Sequence, residues 1–215
     1  ALRFGDADPT GTHGGHHPNS MNTTAELRKS LQAQRASLSK LQLRTHSEQL
    51  FSHLIQHPVF QRSRRIAGFI AHGGEMDPAL VIARILNNKQ HCFLPVLNQL
   101  HGNRLWFAPL HQGAALKPNR YGILEPTLFP PMPVPVWSLD LVLTPLVAFD
   151  HCGGRIGMGG GFYDRTFSHI KGPTKQKKPF LLGVAHSFQQ VKKIELNPWD
   201  IPLDGVATEQ GLTIF

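Results

Sequence analysis

The run Gly153-Gly154-Arg155-Ile156-Gly157-Met158-Gly159-Gly160-Gly161-Phe162-Tyr163-Asp164-Arg165 carries the residue types best suited to chemistry. Successive glycines let a backbone approach a ligand closely and take positive φ. Arg155 offers a planar fork of N–H groups that grips a phosphate through two hydrogen bonds. Asp164 is a hard oxygen ligand suited to Mg²⁺ on that phosphate. The apolar segment 139–149 precedes the run and a short helical pattern follows it. The order strand, glycine loop, helix start presents backbone N–H groups to an anion. Known glycine devices do not fit. The chain has no Gly-Lys-Ser/Thr and so no Walker A loop, and a dinucleotide fingerprint needs glycine where Phe162 stands. No serine lies between the glycines as in a nucleophile elbow.

Such a loop needs a sheet and helices to aim it, and the pattern supplies them. Leu27, Leu31 and Leu38 recur at helical spacing with Thr23 or Thr24 as cap, and Ser39 with Gln42 reads as a capping box for a second helix bearing Leu43, Leu50, Leu54 and Ile55. Pro58 closes that helix. Residues 66–71 and 92–97 read as strands around a helix entered at Asp77-Pro78. Residues 105–107 read as an edge strand, 139–147 as a central buried strand, and 162–170 as a helix. Residues 180–185, 205–208 and 212–215 are further strands, and 172–178 a basic surface loop. Alternating strands and helices predict an α/β fold: a three-layer α/β/α arrangement on a mostly parallel, Rossmann-like sheet. Ligands of such sheets sit beyond the carboxyl ends of the strands, where the glycine loop and residues 71–77 lie.

The chain has 215 residues, with 22 Lys+Arg against 14 Asp+Glu for a formal net charge of +8. A basic surface fits anionic ligands such as nucleotides, polyglutamate tails or nucleic acid. Its 2 cysteines are too few for a disulfide framework, which favours a reducing compartment. There is no signal-peptide pattern or membrane-length apolar run. Residues 1–20, rich in Gly, His, Pro and Thr, read as a disordered leader or expression tag, and 21–215 as a single domain. A cytoplasmic monomer is expected.

The run from Arg155 to Arg165 resembles the motif of the 5-formyltetrahydrofolate cyclo-ligase (5,10-methenyltetrahydrofolate synthetase) family. The resemblance extends to the basic first helix around Glu26-Leu27-Arg28-Lys29 and Arg35, to Glu75-Met76-Asp77, to Gly183-x-Ala185-His186, and to Trp199-Asp200-Ile201-Pro202-Leu203-Asp204. The last block is similar to bacterial members. The resemblance implies a ligase of one-carbon metabolism with the architecture of isomerase and CoA-transferase-like proteins. Its reaction turns 5-formyltetrahydrofolate and ATP into 5,10-methenyltetrahydrofolate, ADP and phosphate. The formyl oxygen is phosphorylated, N10 closes the ring, and no covalent protein nucleophile is needed.

Carried over by position, the resemblance implies ATP contacts from Arg28, Arg155, Ile156, Gly157, Met158, Gly159, Gly160, Gly161, Phe162 and Tyr163. Folate contacts fall to Ile70, Glu75 and the segment Met158, Gly159, Gly160, Gly161, Phe162, and Mg²⁺ ligands to Asp164 and Asp200. Arg155 and Asp164 are the expected catalytic pair. Glu75 suits a pterin, whose paired N–H donors a carboxylate accepts. Many members carry a base where this chain has Thr24, and some carry bases where it has Met158 and Gly160, so Arg155 is expected to supply more of the positive charge. The partners implied are folate and ATP, without nucleic acid or membrane. Two other readings compete: a basic RNA-binding module, which needs exposed aromatics along a basic stripe, and a sugar-phosphate isomerase-like protein on the same fold.

Overall fold

The computed structural model describes residues 24–98, 102–127, 133–171 and 179–215. The leader and the 172–178 loop expected from the sequence lie outside these. Helix α1 (Thr24–Ala36) leads into α2 (Lys40–Gln56), whose start is fixed by the expected capping box. The Ser39 hydroxyl accepts from the Gln42 N–H at 3.2 Å, and the Gln42 side chain accepts from the Ser39 N–H at 2.9 Å. Caps of this kind are worth about 1 kcal/mol. Pro58 does more than end α2. It holds His57 extended and becomes the first residue of a short helix, α3 (Pro58–Arg62), capped by His57 Nδ1. Helix α4 (Ala79–Leu86) follows Pro78, with Asp77 Oδ1 accepting from the Ala79 N–H at 2.9 Å.

The strands are β1 (Arg65–Ala67), β2 (His91–Leu97), β3 (Leu105–Leu110), β4 (Leu116–Pro118), β5 (Leu124–Pro126), β6 (Leu141–Pro145), β7 (Ala148–Phe149), β8 (Arg155–Ile156), β9 (Phe180–Val184), β10 (Gly205–Thr208) and β11 (Gly211–Ile214). Seven form one sheet in the order β11-β10-β9-β6-β1-β2-β3. The inner pairings are parallel, with Ile66 opposite Leu141 and Leu143 opposite Leu182. The two edges, β3 and β11, are antiparallel. Strand β6 is the central strand expected from its unbroken apolar run, and β3 the expected edge. Strand β1 is shorter than expected because strand pairing ends at Ala67, beyond which the chain turns through Gly73 and Gly74 at positive φ.

Alternation along the strands makes two cores. Leu141, Leu143, Ile66, Leu94 and Leu182 pack beneath Leu50 and Leu54 of α2, Phe60 of α3 and Val81, Ile82 and Ile85 of α4. Ala67, Phe93, Val142, Leu181 and Val206 face the other way. That second layer is thin: its helix α5 (Phe162–Phe167) contributes Phe167, with Phe162 and Tyr163 packed against it, and Leu139, Leu146, Ile201 and Leu203, outside helices, add to the cover. Helix α1 stands at the end of the sheet, where Leu31 packs on Val147, Ala148 and Ile156. Among the described residues no helix is long and apolar enough to cross a membrane.

Candidate functional site

Strands β1 and β6 are neighbours, so the segments leaving their carboxyl ends emerge side by side. After β6 the chain makes the β7–β8 hairpin, and Asp150 shapes its turn. Buried Asp150 accepts from the N–H groups of Cys152 and Gly154 at 2.9 and 2.8 Å through one oxygen, and from Ile194 at 2.8 Å through the other. A Cβ at Gly154 would sit 2.6 Å from that carboxylate, so only glycine fits there. The hairpin delivers Arg155 to the mouth of the glycine loop.

Arg155 is not the open phosphate clamp its sequence suggests. Its side chain is 6% exposed, and Nη2 is 2.5 Å from Asp164 Oδ1. Nη1 donates to the Ile201 carbonyl, and the Ile201 N–H donates to the same Asp164 oxygen at 3.0 Å. Arg155 and Asp164 thus clasp the 197–203 segment, which brings Asp200 to the site. Burial pulls the Arg155 guanidinium below its ordinary range, and Asp164 opposes that pull most strongly. An arginine so placed still keeps its charge. Asp200 Oδ2 accepts from the Asn197 N–H at 2.7 Å.

Beside this clasp lies a cleft of about 600 Å³, lined among others by Thr24, Arg28, Arg104, Arg155, Ile156, Gly157, Gly159, Gly161, Asp164, Arg165, Trp199 and Asp200. That size suits a nucleotide-scale ligand. Arg28 Nε donates to the Gly157 carbonyl at 2.9 Å and ties α1 to the loop. Arg165 and Asn103 both donate to the Gly160 carbonyl, at 2.6 and 3.1 Å. Helix α5 has only 6 residues, so the arginines outweigh its macrodipole in setting the charge of the cleft. Sequence reasoning missed Arg104, Arg165 and Trp199 as cleft residues. Trp199 is 67% exposed, an unusual state for tryptophan that only the fold reveals.

The remaining expected residues turn the other way. Met158 meets the Gln32 amide at 3.2 Å and Arg35 at 4.0 Å. Phe162 and Tyr163 pack on the thin-layer core, and a Cβ at Gly160 would strike the Phe162 ring at 2.7 Å. Arg35, buried on α1, donates to the Leu146 carbonyl and lies 3.8 Å from Glu75 Oε1. Arg35 therefore joins Met158 to Glu75, a role its sequence position did not reveal. Burial raises the Glu75 carboxyl above its usual range, against the lowering effects of the His72 N–H and Arg35. Glu75 also lines a second hollow of about 560 Å³ with His72, Gly73, Gly74 and Arg44. Tyr163 is packed against the thin-layer core, and its phenol is pushed above its ordinary range, chiefly by burial. Ile70 packs against the helix-covered core and lines neither hollow.

Among the described residues, the potential metal ligands that gather three together are His46, His186 and Glu209, none of which lines the cleft. Asp164 and Asp200 both line it. Their recorded hydrogen bonds fall on Oδ1 of Asp164 and Oδ2 of Asp200, which leaves the second oxygen of each carboxylate for another ligand. Mg²⁺ commonly takes one or two protein carboxylates, with substrate phosphates and water completing its shell. The donor set fits that ion.

Residues 20–209 match the model of the 5-formyltetrahydrofolate cyclo-ligase family. The chain is 34% identical over 178 residues to the 5-formyltetrahydrofolate cyclo-ligase of Escherichia coli strain K12, covering 83% of this chain and 96% of that protein. It is 33% identical to the Haemophilus influenzae enzyme of the same name, over 85% of this chain and 97% of that one. The NMR structure of Aquifex aeolicus 5,10-methenyltetrahydrofolate synthetase superposes with a TM-score of 0.74 at 32% identity, covering 89% of this chain and 92% of that one. A Mycoplasma pneumoniae synthetase at 20% identity, with a TM-score of 0.66, shares the fold.

Proposed function

The chain belongs to the 5-formyltetrahydrofolate cyclo-ligase family, and on that footing we propose that it closes 5-formyltetrahydrofolate to 5,10-methenyltetrahydrofolate at the expense of ATP. The observation that carries this reading is the two-sided glycine loop. One side borders the cleft with Arg28, Asp164 and Asp200, and the other holds Met158 beside Arg35 and Glu75. ATP lies in the cleft with its phosphates toward Arg28 and the glycines, and folate lies on the Met158 side. Glu75 accepts the pterin's N–H donors, which replace the water that burial has removed and favour its ionised form.

The formyl oxygen takes the γ-phosphoryl group and ADP departs. N10 then attacks the formyl carbon, the carbon–oxygen bond breaks to release phosphate, and N10 loses its proton. The protein's part is positioning and charge neutralisation. Asp164 and Asp200 are the residues that would hold Mg²⁺, which when bound supplies charge to the phosphate oxygens. Arg155 acts indirectly, by fixing Asp164 and the 197–203 segment. The test is absorbance of the methenyl product in a mixture of protein, 5-formyltetrahydrofolate, Mg²⁺ and ATP. Product is expected with ATP and none without it. Absence of ATP-dependent product from folded protein overturns the reading.

A further inference from the structure

We propose that Arg104 is a polyphosphate-binding cation of the cleft alongside Arg28, a role resting on the reading that ATP occupies it. The cleft's other arginines each spend at least one donor on the fold. Arg155 is clasped by Asp164 and Ile201, Arg28 Nε holds the Gly157 carbonyl, and Arg165 holds the Gly160 carbonyl. Arg104 lines the same cleft, is exposed, and its guanidinium has no hydrogen bond or ion pair among the described residues. Its backbone is nevertheless fixed. Asn103 donates to the Gly160 carbonyl at 3.1 Å, and the Leu105 N–H donates to the Thr166 hydroxyl at 2.8 Å. The residues on either side of Arg104 are thus fastened to the glycine loop and to α5, while its side chain keeps every donor unused. The acids of the cleft do not neutralise it: Glu195 pairs with Lys193 at 2.8 Å, Asp164 with Arg155, and Asp200 accepts from Asn197. A guanidinium with a fixed base and a free fork meets the requirement for holding an oxyanion of a nucleoside polyphosphate.

The test is calorimetric titration of wild type and Arg104→Ala with a non-hydrolysable ATP analogue and with AMP. The variant should bind the analogue about 10-fold more weakly or worse, since a charge-assisted hydrogen bond is lost, and should bind AMP as wild type does. Thr24 lines the same cleft one helical turn before Arg28, so Thr24→Lys added to Arg104→Ala should recover part of the loss. Unfolding midpoints should not move, because no contact of the fold is removed. Wild-type binding of the analogue with an unaffected Arg104→Ala overturns the assignment and leaves the ATP reading standing. Failure of wild type to bind the analogue overturns both.

Discussion

Removing Asp164 tests whether one carboxylate serves both the fold and the chemistry. Asp164→Ala leaves Arg155, 6% exposed, without the carboxylate that pairs with it. Breaking a buried ion pair from one side costs about 3–5 kcal/mol. Asp164 itself is 27% exposed, and Arg155 keeps the Ile201 carbonyl and the attraction of Asp200, so the lower end applies, about 3 kcal/mol. Asp164→Asn keeps an oxygen for Arg155 and for the Ile201 N–H. It exchanges a charged hydrogen bond for a neutral one, a loss of about 1–2 kcal/mol. At about 2–4 °C per kcal/mol for a domain of this size, the alanine variant should melt about 6–12 °C early and the asparagine variant about 2–8 °C early. Turnover should fall in both by about 100-fold or more, because a metal-ligand charge worth several kcal/mol in the transition state is gone. Thermal unfolding without ligand and the absorbance assay at saturating Mg²⁺ read the two effects separately. An alanine variant that melts within about 1 °C of wild type would refute the dependence of Arg155 on Asp164, and an asparagine variant with full turnover would remove Asp164 from the metal site.

Gly74 has φ +76°, and a Cβ there would lie 2.6 Å from the Arg35 carbonyl oxygen, so Gly74→Ala should cost about 2–4 kcal/mol in urea unfolding. Gly73→Ala, at φ +58° in open space, should cost only about 1–2 kcal/mol; equal losses would show that the Arg35 contact is unimportant. Trp199→Ala should raise the KM for ATP about 10-fold with the folate KM unchanged, because exposed Trp199 offers the purine a stacking face; a change confined to the folate KM would contradict that placement. His186, fully buried and bonded through Nε2 to the Gly74 carbonyl, is held down to about 4 from the usual 6.5, chiefly by burial. Its unfolded form therefore binds a proton first, and stability should fall as pH drops from about 6.5 toward 4, by about 3 kcal/mol in total. His186→Gln should flatten that pH dependence, and an unchanged slope would assign it to other groups.

Features set by local chemistry were readable along the chain. Ser39 and Gln42 meet within one turn, so the capping box was visible as a pattern. The apolar run of β6 needed no partner to declare itself central, and the glycine loop followed it as expected. Features that depend on contacts remote in sequence were not readable. Arg155 looked like a free clamp because nothing nearby in sequence marks Ile201, whose carbonyl lies across the fold, as its partner. Arg104 sits in a stretch with no periodicity, and contacts remote in sequence, Asn103 on Gly160 and Leu105 on Thr166, hold its backbone beside the cleft. The thin second layer was also hidden, because Leu146, Ile201 and Leu203 cover the sheet without forming a helix there. The helix expected over 162–170 is α-helical only to Phe167 and continues as a 3₁₀ helix over Ser168–Lys171.

On the proposed function one glycine loop separates two substrates, ATP on its Arg28–Asp164 side and folate on its Met158–Glu75 side. A crystal structure of the protein with a non-hydrolysable ATP analogue and 5-formyltetrahydrofolate tests it most directly. Phosphates are expected against Gly157, Gly159 and Arg104, and the pterin within hydrogen-bond reach of Glu75. Phosphates seated in the hollow of residues 71–80, or both ligands on one side of the loop, would contradict it.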